Sequence, residues 1–186
     1  ILDENSSLPA ANLTGTVADA RISTLTSSKL SGALPSIDGS SLTSVTPADT
    51  SSFFAYKGVV QANIAIDTST TVTYDSEAFD KGGDFASNTF TAPTTGKYVL
   101  IWTLRVDQLD SAADLFQFAI LTSNREMRLF LDPDFMAADC TRFPVCISGV
   151  FDMDASDTAY CYIRQDGGTA QMDIHYSFFS GYFLGS

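Results

Sequence analysis

The chain has 186 residues, with 22 acidic against 10 basic side chains and a formal net charge of −12, so most of its surface repels a polyanion and DNA or RNA is excluded as a partner. Its 45% hydrophobic content is that of a chain with a packed core, which excludes the disordered class. The longest apolar run, Tyr98 to Trp102, falls far short of the roughly 20 residues that span a bilayer, so no segment is expected to insert into a membrane.

The chain opens "ILDENSSLPA", without Met or a basic-then-apolar leader, and reads as a piece of a longer protein. Residues 1–52 contain no aromatic residue; all 14 Phe, 7 Tyr and the single Trp lie at or beyond Phe53. That asymmetry predicts a domain boundary. The first segment is rich in Ser and Thr and carries single aliphatics three to five residues apart, a spacing that fits no long helix. It also repeats. "LTGTV" at 13–17 returns as "LSGAL" at 30–34, and the same offset links Leu8, Leu25 and Leu42. One copy of such a strip has too few apolar atoms to offset the entropy of ordering it. Three chains around one axis would turn the aliphatics inward, which predicts a trimeric, β-rich fibrous stalk over 1–52. A disordered Ser/Thr linker is the competing reading.

From Phe53 onward, β-branched and aromatic runs alternate with turn signals every 8 to 12 residues or so, the pattern of a sandwich or jelly roll. Strands are expected at 53–60, 70–74, 88–92, 96–106, 115–121, 127–131, 145–151, 158–165 and 171–184. Turns are expected at "KGGD", "TSNRE", "DMDASD" and "DGG". Two strands are apolar on both faces: Tyr98, Leu100 and Trp102 alternate with Val99 and Ile101, and Tyr176, Phe178, Ser180 and Tyr182 alternate with Phe179, Gly181 and Phe183. A half-buried strand alternates apolar with polar, so something must cover the second face.

Metal and catalytic signals are weak. Cys140, Cys146 and Cys161 form no CxxC pair; Cys140 and Cys146 could bridge in an oxidising space or remain free thiols. "DMDASD" at 152–157 lacks the Gly and Glu of a calcium loop, with Asp157 and Ile163 in their places, and is better read as a charged hairpin turn. The one histidine, His175, has no nucleophile motif beside it, and no enzyme activity is expected.

The stretch "YDSEAFDKGGDFASNTFTAPTTGKYVLIW" resembles the signature of the globular head of complement component one-q, in its bacterial and phage form. The matching residues are Phe79-Asp80, Gly83, Phe85, Phe90-Thr91-Ala92-Pro93, Gly96 and Tyr98, with Leu100 in place of a usual aromatic. "FDMDASDTAYCYIRQ" is similar to that family's penultimate hairpin and "YSFFSGYFL" to its closing strand. The resemblance implies an all-β, ten-stranded jelly roll of the complement one-q and tumour-necrosis-factor type over 53–186. It also implies a homotrimer, with Tyr98, Leu100, Trp102, Tyr176, Phe178 and Tyr182 expected at the trimer interface. Residues 1–50 resemble shaft segments of phage tail fibres and bacterial surface fibres.

Both termini of that family's head lie at its base, so loops 107–114, 132–143 and 166–170 are expected to point away from the stalk. These loops carry Asp107, Asp110, Asp114, Asp132, Asp134, Asp139 and Asp166, with Phe135, Met136 and a single base, Arg142. Such a tip could hold Ca²⁺ or accept hydrogen bonds from sugar hydroxyls; loop Asp residues also serve simply as turn formers. The expected function is an extracellular, virion- or cell-surface fibre tip that attaches a phage or bacterium to a glycan or envelope component. The alternative is a trimerisation cap without a ligand.

Overall fold

The structure is a computed structural model and describes residues 51–185. Apart from Ser51 and Ser52, the stalk expected over 1–52 lies outside the described residues. Eleven strands form two sheets. β1 (Ser52–Lys57), β3 (Ser76–Lys81), β6 (Gly96–Asp107), β9 (Phe143–Met153) and β11 (Asp173–Gly185) make a five-stranded sheet in the order β3-β1-β11-β6-β9. β4 (Phe85–Ala86), β5 (Thr89–Thr91), β10 (Thr158–Gly167), β7 (Ala113–Thr122) and β8 (Glu126–Leu131) follow one another in the second sheet, and β2 (Thr70–Thr71) pairs with β10. All named strand pairings are antiparallel, as the sandwich pattern predicted.

Nine of these strands coincide with expected ones. The other two, β3 and β4, were not among the nine runs located in the sequence and bring the total to eleven, one more than the resemblance implied. β3 reads SEAFDK and sits at a sheet edge with most of its residues exposed, so it lacks the alternation that marks a half-buried strand.

The core lies between the sheets. Phe53, Phe85 and Phe90 stack, with centroids 5.0 and 4.7 Å from Phe53, and Phe179 meets Phe53 edge-on at 5.0 Å. Beside them Tyr98, Leu100 and Trp102 are fully buried. This corrects one expectation: these three fill the sandwich and are not available to a neighbouring subunit. Alternation yields two sets of residues; polar atoms decide which set goes inside. Tyr98 donates its hydroxyl to Thr94 O at 2.7 Å, and Trp102 Nε1 donates to Ser177 Oγ at 2.8 Å inside the core. Buried aromatic heads thus find partners without water. The second face of β6 carries Val99 and Ile101, with Ile101 37% exposed.

On the closing strand the expected set does face out. Tyr176, Phe178 and Tyr182 are exposed, while Ser177 and Phe179 point into the core. Gly181 also faces inward, between Leu100 and Phe53. A methyl group there would lie 2.7 Å from Leu100 Cδ2, 2.8 Å from Phe53 Cε1 and 3.0 Å from Val99 O. Gly181→Ala should therefore lower the unfolding free energy by about 1–3 kcal/mol through overpacking, measured by urea denaturation.

Candidate functional site

The chain enters the head at Ser51, whose carbonyl accepts from Phe183 N at 2.9 Å and whose hydroxyl donates to Asp84 at 2.6 Å. This end also holds Gly96 and Met153, register partners across β6 and β9. At the other end of β6, Asp107 pairs in register with Asp173 of β11. Twelve residues of strand separate the two ends, on the order of 35–40 Å.

The three expected tip loops meet at this far end. Leu109 and Cys140 exchange backbone hydrogen bonds of 2.9 Å, joining 107–114 to 132–143. Asp139 Oδ1 accepts from Ser111 N at 2.9 Å and Ser111 Oγ at 2.7 Å. Asp110 joins 107–114 to 166–170: its carboxylate accepts from Ala112 N at 2.8 Å, Ala170 N at 2.7 Å and Thr169 N.

Most of the acidic residues are therefore committed. Asp110 is 3% exposed and so is a scaffold, not the ligand group its loop position suggested. Burial pushes its pKa up, but the backbone donors of Ala170, Thr169 and Ala112 outweigh that and hold the carboxyl below its usual range. Asp107 takes two bonds from Arg105, at 2.8 and 2.9 Å, and lies 3.5 Å from His175 Nε2. Asp132 caps a 3-10 helix, Pro133–Phe135, by accepting from Asp134 N at 3.0 Å. Asp166 accepts from Gln117 Nε2 at 2.8 Å and from Arg164. Met136 packs against the core. Asp114, Asp134, Phe135 and Arg142 remain facing solvent, with Phe135 69% exposed. A one-dimensional reading could not single out Asp110, because two of its three backbone donors, Thr169 and Ala170, lie 59 and 60 positions away.

No group of three or more His, Cys, Asp or Glu residues among the described residues is arranged to hold a metal ion. The three cysteines are free thiols, with Cys161 buried and Cys146 exposed; burial pushes the Cys161 thiol well up. The "DMDASD" segment is the β9–β10 turn, with Asp157 accepting from Asp154 N at 2.8 Å. Among the described residues, no serine or cysteine hydrogen-bonds His175.

The second candidate surface is the outward face of the five-stranded sheet. The register sets Phe79, Phe54, Ser180, Ile101 and Ser148 in one row and Tyr56, Phe178, Thr103 and Cys146 in the next. No charged residue occurs in either row. Phe54 lies 6.2 Å from Phe79 and 5.9 Å from Phe178, centroid to centroid. Tyr182 and Val150 flank the rows on one side, and on the other Tyr176 sits under Arg105, 4.9 Å from its ring centroid. A contiguous apolar patch of this kind is what an interaction face requires.

No protein-family model matches the sequence, and no curated protein matches it either. Solved structures do. The globular domain of zebrafish complement 1qA protein is 16% identical, with a TM-score of 0.54 over 73% of this chain and 98% of that one. Murine APRIL, in a crystal structure at pH 8.0, is 14% identical, with a TM-score of 0.52 over 73% of this chain and 99% of its own. The described residues adopt the jelly-roll fold of the complement one-q and tumour-necrosis-factor type.

Proposed function

We propose that the chain is the homotrimeric head of an extracellular fibre, and that it attaches a phage or bacterium to a cell-surface glycan or envelope component through its distal loops. The observation that carries this reading is the pair of charge-free rows, rich in aromatic residues, at the centre of the five-stranded sheet's outward face. Left in water, Phe54, Phe79, Phe178, Tyr182 and Ile101 forgo the roughly 25 cal/mol per Å² that burial supplies. A second and third copy would cover them. The repeat expected in 1–52 fits a stalk of the same symmetry, and the chain enters the head at the end opposite the loops. Three equivalent tips on one rigid head gain avidity without a tight single site.

The cap reading keeps one specific support: most tip carboxylates already bond within the head, so the loops are ordered with no ligand. The two readings separate on attachment. Replacing 132–143 by a Gly/Ser loop should leave assembly intact and lower cell attachment at least severalfold if the tip binds a receptor. Unchanged attachment favours the cap.

Assembly is tested separately. Phe178→Asp places a carboxylate on the apolar face of every copy, where burial without a partner costs several kcal/mol. Sedimentation velocity at micromolar concentration should change from trimer to monomer, and a monomeric wild type would refute the trimer.

The order of the tip rests on Asp110. Its folded pKa lies below the unfolded value, so its contribution is present above the usual carboxylate range and is lost as pH falls through the folded pKa. Asp110→Asn should lower stability by about 1–3 kcal/mol at pH 7, and the gap from wild type should narrow in acid, as read by urea denaturation at pH 7 and pH 3.

A further inference from the structure

The second sheet shows solvent a different face. Cys161 and Ile163 of β10 point into the core, and Tyr160 and Tyr162 alternate outward from it. Register sets Arg128, Ala119, Tyr162 and Thr71 in one row across β8, β7, β10 and β2, and Glu126, Leu121 and Tyr160 in the next. Ala119 is fully buried yet outside the core cluster, so the larger side chains beside it close over it. Except for Ala119, the residues of the two rows line an open cleft of about 280 Å³, just below the roughly 300–1,000 Å³ typical of small-ligand sites.

Its polar groups are already held in place. The Tyr162 hydroxyl donates to Glu126 Oε1, and Arg128 Nε pairs with the same oxygen at 2.5 Å. The Arg128 bond holds the Glu126 carboxyl below its usual range, while burial, reinforced by Glu126, pushes the Tyr162 phenol up to about 12. At neutral pH the site therefore presents an anion, a cation and a protonated phenol in fixed positions. Arg128 remains 43% exposed, and the Tyr160 hydroxyl hydrogen-bonds none of the described residues.

We infer that this cleft binds one neutral pyranose ring, with Tyr160 against the ring and Glu126, Arg128 and Thr71 bonded to its hydroxyls. The chemistry selects that class. Arg128 is already neutralised by Glu126, so an anionic ligand would meet the carboxylate without a free cation. A purely apolar ligand would strand charged groups. A ligand with adjacent hydroxyls both donates to Glu126 and accepts from Arg128. The cleft lies on the sheet opposite the proposed self-association face. The inference rests on the receptor-binding reading only for its biological use, and it adds a carbohydrate site on the sheet that is separate from the loops.

The test is saturation-transfer NMR on the full chain, titrated separately with methyl α-glucopyranoside, methyl α-mannopyranoside, methyl β-galactopyranoside and N-acetylglucosamine, with N-acetylneuraminic acid as the anionic comparison. Saturable binding of at least one neutral sugar is expected. It should weaken roughly tenfold in Tyr160→Ala and in Arg128→Gln, the effect of losing one stacked or hydrogen-bonded group. Tyr160→Phe, which keeps the ring and is conservative in packing, should retain most of the binding, and Phe135→Ala in the tip should retain all of it. Binding of none of the four neutral sugars, binding of the anionic sugar alone, or binding that Arg128→Gln and both Tyr160 variants leave unchanged overturns the inference. Sugar binding that survives while loop replacement abolishes cell attachment separates this site from the tip.

Discussion

The structure depends on one sheet that is apolar on both sides. Strands β6 and β11 lie next to each other in the five-stranded sheet, and each has a buried face and a face that the described residues leave uncovered. The inward side is settled by geometry: Trp102 donates to Ser177, Tyr98 to Thr94, and Gly181 makes room for Leu100 and Phe53. The outward side, with Phe54, Phe79, Phe178 and Ile101, has no such settlement among the described residues. An antiparallel sheet normally turns a polar face to water; this one places its charges at its margins, among them Lys81, Lys97, Arg105 and Asp152.

Much of the fold was legible because its signals are local. Period-two alternation and Gly, Asn and Asp turns located nine strands, including the two long ones that organise the sheet. β3 escaped because Ser76, Glu77 and Asp80 are polar edge residues paired through their backbone, where side-chain pattern carries little information. The face of β6 escaped for another reason. Tyr98, Leu100, Trp102 and Val99, Ile101 are equally apolar as sets, and only the partners Ser177 and Thr94, far away or around a turn, distinguish inside from outside.

The tip was legible as a place and illegible as chemistry. Parity of connections in an antiparallel jelly roll brings 107–114, 132–143 and 166–170 to one end, and backbone bonds between Leu109 and Cys140 join two of them there. Seven aspartates in those loops look alike in sequence. In the fold, Asp110 is a buried anchor, Asp139 ties its loop to Ser111 of 107–114, Asp132 orders its own loop, and Asp114 and Asp134 face water. The cleft of the second sheet was missed because its members come from β2, β7, β8 and β10, and only strand register makes Arg128 a neighbour of Tyr162 and Thr71.

The two sheets divide the molecule's work by charge. A net charge of −12 per copy repels further copies, so association needs a surface from which charge has been removed and on which apolar area is concentrated. The five-stranded sheet provides this: its central rows hold aromatic, aliphatic, hydroxyl and thiol groups only. The charges lie at the margins of that sheet, in the loops and on the second sheet, where Glu126 and Arg128 compensate each other beside Tyr160 and Tyr162. A chain with those charges spread evenly would have the same core and the same fold. It would lack both a face that copies could share and a cleft in which paired charges and aromatic rings lie within reach of one small polar ligand.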